Sequence, residues 1–265
     1  MAFNSYALGP NEPVFVGWDN FVGVFNLFDS SIVNNEWQAV KNTIFLFCFI
    51  VCFCMPISLL LSYLLYTKVK GYRWLRTFVY LPCVTSSVVL VLVFKSFMTG
   101  PLSSIYSYLG IYEKLPIEGW LGPNTAWNTL IIFSIWTGFS ADMIFLLSAM
   151  NNIPKDLIEA AKLDGAGEFR IFRFIVLPLI TPTLCTLLTL ALGSALGWAM
   201  PSLLMMGNDY GMYGTGSIGL SIMRFAASKQ YGVGAAYGLL LTLIVTPLTF
   251  LLRKLVEKFE VDVQF

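Results

Sequence analysis

Two places in this chain carry residues whose type and spacing can do chemistry: Asp142, inside an apolar run, and the compact charged stretch from Asn151 to Arg173. Asp142 lies eight residues before the end of its run, roughly 12 Å deep in a helix rising 1.5 Å per residue. A charge at such a depth costs about 2.5–3.5 kcal/mol on insertion scales. Its carboxylate must therefore face protein or water, either as part of a solute pathway or as a hydrogen-bond partner of a neighbouring helix. No second carboxylate of this kind accompanies it, which argues against proton coupling. Other chemistries are excluded by what the chain lacks. It has no histidine, which removes imidazole acid–base catalysis, His-ligated metals and His pH switches. Cys48, Cys52, Cys54, Cys83 and Cys185 all sit in apolar stretches and read as small hydrophobes. Cys52 and Cys54 are too close to pair on a metal, and no other ligand type clusters near them. There is no G-x-x-x-x-G-K-[ST] phosphate loop, so any ATP hydrolysis must come from another chain.

The 151–173 stretch reads as helix, break, helix. Asn152 and Pro154 suit the start of the first helix. Leu157, Ile158, Ala160 and Ala161 form an apolar stripe beside Lys155, Glu159 and Lys162. Gly165 falls where a helix end needs positive φ. Glu168 opens the second helix, with Phe169 and Phe172 expected on one face and Arg170 and Arg173 on another. A small amphipathic helix can lie on lipid. The alanines at the centre of this stripe bind lipid poorly and suit insertion into a protein groove better.

The elements that must position these residues are membrane helices. Hydrophobic residues make up 57% of the 265-residue chain and charged ones only 12%, about half the usual share for a soluble domain. Five runs reach the roughly 20 apolar residues that a helix needs to cross a bilayer: 42–66, 77–98, 126–150, 174–206 and 231–252. They do not alternate as barrel strands do. The fourth holds Pro178, Pro182 and Pro201 and is expected to be bent or divided. Gly193 with Gly197, and Gly234 with Gly238, are small-residue steps that allow close helix packing.

Eleven of the 16 basic residues fall in the loops after the first and third runs and in the C-terminal tail, which the positive-inside rule places in the cytoplasm. Five spans then put the N-terminus outside. The expected division is an extracytoplasmic segment 1–41, a membrane domain 42–252 that includes the cytoplasmic loop 151–173, and a cytoplasmic tail 253–265. The net charge of +1 gives no sign of a nucleic-acid partner.

Glu159-Ala160-Ala161, Asp164-Gly165-Ala166, Phe172 and Leu177-Pro178 together resemble the EAA loop of binding-protein-dependent ABC importer permeases. Phe15-Val16-Gly17-Trp18-Asp19-Asn20-Phe21, Lys41-Asn42-Thr43, Leu81-Pro82, Trp136, Ile153-Pro154 and Tyr231 to Ala236 resemble further segments of the carbohydrate branch, most similar to its first permease subunit. The resemblance implies an all-α, polytopic type I importer permease fold. It implies a second permease subunit, an ABC ATPase dimer carrying the ATP and Mg, an extracytoplasmic solute-binding protein and a sugar substrate. Glu159, Ala160, Ala161, Asp164, Gly165, Ala166 and Phe172 would then form the ATPase-coupling loop, with Glu159 paired to a basic ATPase residue. Those permeases begin with a further span before the segment matching Met1 to Tyr6, so this chain is expected to lack it. Candidates for a sugar pathway are Ser86, Ser87, Asn128, Asp142, Ser194, Trp198 and Tyr237. Residues 207–230 are expected to contact the binding protein. A permease for another solute class and an ion-coupled secondary transporter are the alternatives.

Overall fold

Prolines and small polar residues decide where the apolar runs break. The structure, a computed structural model, describes residues 1–5, 14–29, 34–110, 119–207 and 212–257. Tyr6, Lys114, Asp209 and Lys258 lie outside them. A two-residue antiparallel pair, β1 (Asn4–Ser5) with β2 (Val14–Phe15), precedes α1 (Asp19–Asp29). The helices that follow are α2 (Asn34–Phe49), α3 (Met55–Tyr66), α4 (Tyr72–Val84), α5 (Ser87–Thr99), α6 (Pro101–Tyr108) and α7 (Ala126–Asn151). The chain continues through α8 (Lys155–Leu163), α9 (Glu168–Ile171), α10 (Leu177–Leu179), α11 (Thr181–Leu196), α12 (Met200–Met206), α13 (Ile218–Ala227) and α14 (Tyr231–Glu257).

Among the described residues, five helical stretches are long and apolar enough to cross a membrane: Glu36–Tyr66, Ser87–Tyr108, Ala126–Asn151, Thr181–Met206 and Tyr231–Lys254. The third and fifth begin where the sequence places them. The first begins earlier, because α2 runs through residue 41 without a break, so the expected boundary between 41 and 42 is not an element boundary. The second is displaced. Residues 77–98 are not one helix: α4 ends at Val84, and Ser86 takes an extended ψ of 133° before α5 starts. Pro82, inside the last turn of α4, withholds the N–H that would bind the carbonyl four residues back. The fourth run divides as expected, with Pro182 and Pro201 in the first turns of α11 and α12.

Two wide turns join α2 to α3 and α9 to α10. At Ile50–Cys54, the Met55 N–H donates to the Ile50 carbonyl; at Phe172–Val176, the Leu177 N–H donates to the Phe172 carbonyl. Each reaches five residues back, the spacing of a π turn. A proline lies one residue beyond each, after Met55 at Pro56 and after Leu177 at Pro178. A proline cannot donate to residue i−4 and its ring crowds that carbonyl, and the wider turn accommodates both.

The chain forms two compact units. One comprises Met1–Cys48, Thr85–Ser134 and Ser194–Pro247. Its core packs Phe21 and Val24 of α1 against Ile218 and Phe225 of α13 and Ala236 and Tyr237 of α14. Asn42 fastens the chain before α13: its amide donates to the carbonyls of Gly214 and Gly216, both at 2.7 Å, while its own oxygen accepts from Gln38 at 2.9 Å. Thr43 accepts the N–H of Ile218 at 3.1 Å. Lys95 of α5 donates to the carbonyl of Leu204 near the end of α12 at 3.1 Å, where helix carbonyls lack internal partners.

Asn42 is buried, so Asn42→Ala strands the two carbonyls it holds, while the exposed Gln38 amide can turn to water. The expected cost is about 1–3 kcal/mol, the penalty for unsatisfied buried polar groups. Limited proteolysis should cut residues 212–217 faster in this variant, and an unchanged cleavage rate would refute the latch.

The other unit comprises Phe49–Val84, Ile135–Gly193 and Leu248–Phe265. Cys54, Ser58 and Ser62 make a ridge of small residues at four-residue spacing on α3 and the turn before it. Ser58 and Ser62 share their hydroxyl protons between their own helix and the carbonyls of Phe139 and Met143 on α7. A Cβ at Gly138 would stand 3.2 Å from the Cys54 sulfur, so glycine permits this approach.

Candidate functional site

The 151–173 loop is built to present α8. Ile153 is buried at its base, and Pro154 is the residue before the first helical turn, with ψ at 127°. Pro154 thus sits one place earlier than the first-turn position expected for it. No side chain caps this end, Asn152 included, but Asp156 lies in the first turn, where the helix dipole favours an acid.

Gly165 closes the helix with φ of 76°. The Ala166 N–H donates to the Ala161 carbonyl at 2.9 Å and the Gly165 N–H to Lys162 at 3.1 Å. This is the Schellman arrangement, which needs a residue that tolerates left-handed backbone. The expected turn is therefore present, for the expected reason.

The motif residues divide by direction. Ala161, Ala166 and Phe172 are half-buried and pack, with Ile158, on the cluster formed by Leu146, Met150, Ile153 and Ile171. Glu159, Ala160, Asp164 and Gly165 are exposed, and so are Leu157 and Leu163. One side of α8 anchors the loop to its own unit; the other offers a shallow face of alanine and leucine edged by Glu159. Phe169 and Phe172 do not share surroundings. Phe172 lies 4.7 Å from the Tyr63 ring while Phe169 is 79% exposed.

Glu168 does more than open a helix. One carboxylate oxygen is 3.1 Å from the Lys162 ammonium; the other accepts from the Tyr63 hydroxyl at 2.9 Å. That hydroxyl is also 3.0 Å from the Glu168 carbonyl. Lys162 first and Tyr63 second hold the Glu168 carboxyl below the usual range. A lowered value means the contacts are intact at neutral pH and are lost only as pH falls through it. The sequence marks Glu168 as a helix start, but Tyr63, 105 residues away, carries no sign of the pairing.

The pathway candidates fall in both units. Ser86, Asn128, Ser194, Trp198 and Tyr237 belong to one unit and Asp142 to the other. Ser86, Asn128 and Ser194 are exposed, as is Ser87, the first residue of α5. Trp198 is half-buried, with its ring 6.3 Å edge-on from Trp127, which in turn lies 5.9 Å from Phe45. Its carbonyl accepts from the Ser217 hydroxyl. Asp142 is half-buried and lies within electrostatic reach of Cys54. Tyr237 is in the core, its hydroxyl 3.4 Å from the carboxylate of Glu36. Glu36 also pairs with Arg224. Sequence reasoning singled out neither Glu36 nor this role for Arg224, although Glu36 is the last acid before a stretch that holds none until Glu113.

A bacterial ABC transporter that imports the acidic polysaccharide alginate has a chain with the same fold, at TM-score 0.75 and 24% identity, covering 92% of this chain and 84% of that one. A second structure, a bacterial alginate ABC transporter in complex with alginate pentasaccharide-bound periplasmic protein, matches at TM-score 0.72 and 26% identity, covering 91% and 81%. The multiple sugar-binding transport system permease protein MsmF of Streptococcus mutans is 28% identical over 261 residues, 94% of this chain and 89% of that protein. Residues 31–261 match the binding-protein-dependent transport system inner membrane component family. With five membrane-length helices among its described residues and this match over most of its length, the chain belongs to that family of multi-pass inner-membrane transport components.

Proposed function

We propose that this chain is the transmembrane permease subunit of an ATP-driven importer, moving a sugar or oligosaccharide by alternating access. The outward face of α8 carries the reading. A short helix fixed at its base by Ile153 and closed by Gly165 shows Glu159, Ala160 and Leu163 to a partner. Such a face suits a groove on an ABC ATPase dimer, which would hold the ATP and Mg. The Lys/Arg asymmetry of the loops supports a cytoplasmic position for α8. A binding protein would deliver the solute, in keeping with the similar alginate transporter, which is in complex with a periplasmic protein. The sugar class rests on relatives such as MsmF, and a second permease subunit would complete the pathway. Membership of a binding-protein-dependent family disfavours the ion-coupled alternative. Ser86, Asn128, Asp142, Ser194, Trp198 and Tyr237 remain the candidates for touching solute.

Glu159→Arg tests the assignment. The variant should insert and assemble, since Glu159 is exposed and supports no internal contact. Like charges facing each other at a docked interface cost several kcal/mol. ATP-dependent uptake into membrane vesicles should therefore fall by about tenfold or more. Wild-type uptake would remove Glu159 from the coupling contact.

A further inference from the structure

Glu168, Tyr63 and Lys162 link three elements whose connection the loop motif alone does not supply. Lys162 is in the last turn of α8, Glu168 is the first residue of α9, and Tyr63 is in the last turn of α3. The Glu168 carboxylate bridges the other two, at 3.1 Å and 2.9 Å. Behind the polar contacts, the Tyr63 ring rests on Phe172, and Met55, Leu59 and Tyr66 of α3 join the cluster that receives Ile158, Ala161 and Ala166. The inner end of the first membrane helix is thus fastened to the coupling helix by a polar bridge over an apolar floor. Beyond this region, the chain enters a π turn on each side, at Ile50–Cys54 and at Phe172–Val176. Wide turns of this kind are where helices change direction most readily.

We infer that Tyr63 and Glu168 are positioning residues that make α3 move as one body with α8, so that displacement of the coupling helix is delivered to the first membrane helix as well as to the helix that follows it in sequence. The inference rests on the proposed role of α8. Covalent connection alone carries motion from α9 into α10 and α11. The bridge adds a second route, across 105 residues of sequence, that ends on the ridge of Cys54, Ser58 and Ser62 packed against α7. An exposed ion pair adds little stability by itself; its value here is geometric, because the shared tyrosine hydroxyl fixes both the backbone and the side chain of Glu168.

The test uses the complete complex with its ATPase, partner permease and binding protein in liposomes. The five native cysteines are replaced, and spin labels are placed on cysteines introduced at Leu60 and Lys155, both exposed. In the wild type, the distance between the labels should keep one narrow distribution both without nucleotide and after trapping with Mg-ATP and vanadate. Tyr63→Phe removes one oxygen and keeps the ring on Phe172. Glu168→Ala removes the bridge, while Glu168→Gln keeps one oxygen to accept from Lys162 and an amide that can donate to the Tyr63 hydroxyl oxygen. Tyr63→Phe and Glu168→Ala should each broaden or shift the trapped distribution. Each should also lower binding-protein-stimulated ATP hydrolysis by about three- to tenfold, the range of coupling changes seen for residues that touch no ligand. The double variant should be no worse than the weaker single one, and Glu168→Gln should retain most of the wild-type behaviour. Unchanged distributions and hydrolysis in both variants would overturn the inference, as would losses that multiply in the double variant. If Glu159→Arg uncouples the same preparation while these variants behave as wild type, only the bridge fails. If Glu159→Arg is also silent, the role of α8 fails with it.

Discussion

Arg224→Met should be among the most destabilising single substitutions in the chain, lowering stability by about 3–5 kcal/mol, the usual result of orphaning one partner of a buried ion pair. The asymmetry of the pair sets the expectation. The Glu36 side chain is 1% exposed and that of Arg224 is 24% exposed. When Arg224 is lost, Glu36 keeps, among the described residues, only the long contact from Tyr237, at 3.4 Å, and it is buried. When Glu36 is lost instead, the guanidinium can turn outward and still lie over the Phe225 ring. Glu36→Ala should therefore cost less than Arg224→Met. The double variant Glu36→Gln with Arg224→Met should regain most of the loss, because a neutral amide bears far less desolvation penalty than a carboxylate. Thermal unfolding in detergent measures all three; each kcal/mol should move Tm by about 2–4 °C in a chain of this size. Equal Tm values for wild type and Arg224→Met would show that the pair carries no structural load.

That pair also marks where the sequence stopped being informative. Helix existence was legible because apolar run length reports it directly: 126–151 and 231–254 follow from hydropathy and little else. The turn at Gly165 was legible because the signal is local, a glycine at the end of an amphipathic stretch. The break between α4 and α5 was not. Hydropathy counts Leu81 to Val89 as one apolar passage, whereas the backbone sees Pro82 withhold a hydrogen bond and Ser86 turn extended. The π turns were hidden for a similar reason, since a proline announces a disturbed helix but not whether the helix kinks, ends or widens. Contacts between distant segments left no local trace at all. Glu36 meets Arg224 across 188 residues, Asn42 meets Gly216 across 174, and Glu168 meets Tyr63 across 105. Glu36, Arg224, Asn42, Glu168 and Tyr63 read in isolation are ordinary polar residues, and Gly216 contributes only its backbone carbonyl.

The candidate site shows the same division. Its local part, the helix, turn and second helix of 151–173, could be written down from residue types. Its directional part could not: Ala160 and Ala161 are adjacent in the motif, yet one is exposed and the other packs inward. That division separates residues whose substitution should disturb docking from those whose substitution should disturb the unit itself. Ala161 and Phe172 belong to the second group, so loss of transport in variants of either would not by itself locate a partner surface.

Gly219→Ala carries the second large expected effect, and it turns on a backbone contact that no small-residue pattern in the sequence singled out. A Cβ at 219 would stand 2.6 Å from the carbonyl oxygen of Leu196 and 3.3 Å from the carbonyl carbon of Gly197. Backbone atoms cannot rotate away as a flexible side chain would, so α13 must withdraw from the end of α11. The withdrawal pulls on contacts immediately before it: the Ser217 hydroxyl on the Trp198 carbonyl, and the Ile218 N–H on Thr43. Overpacking of this kind costs about 1–3 kcal/mol, and the loosened contacts add to it. Gly193 and Gly238 supply the control. Both lie in helices, and a Cβ at either would meet nothing within 4 Å. Alanine at those positions should be neutral or stabilising by up to about 1 kcal/mol in the isolated chain, from helix propensity alone. A Tm that falls for Gly219→Ala but not for Gly193→Ala or Gly238→Ala would show that the critical glycine is the one beneath a crossing backbone. Equal tolerance at all three positions would mean that α13 does not rest on the end of α11 as the structure has it.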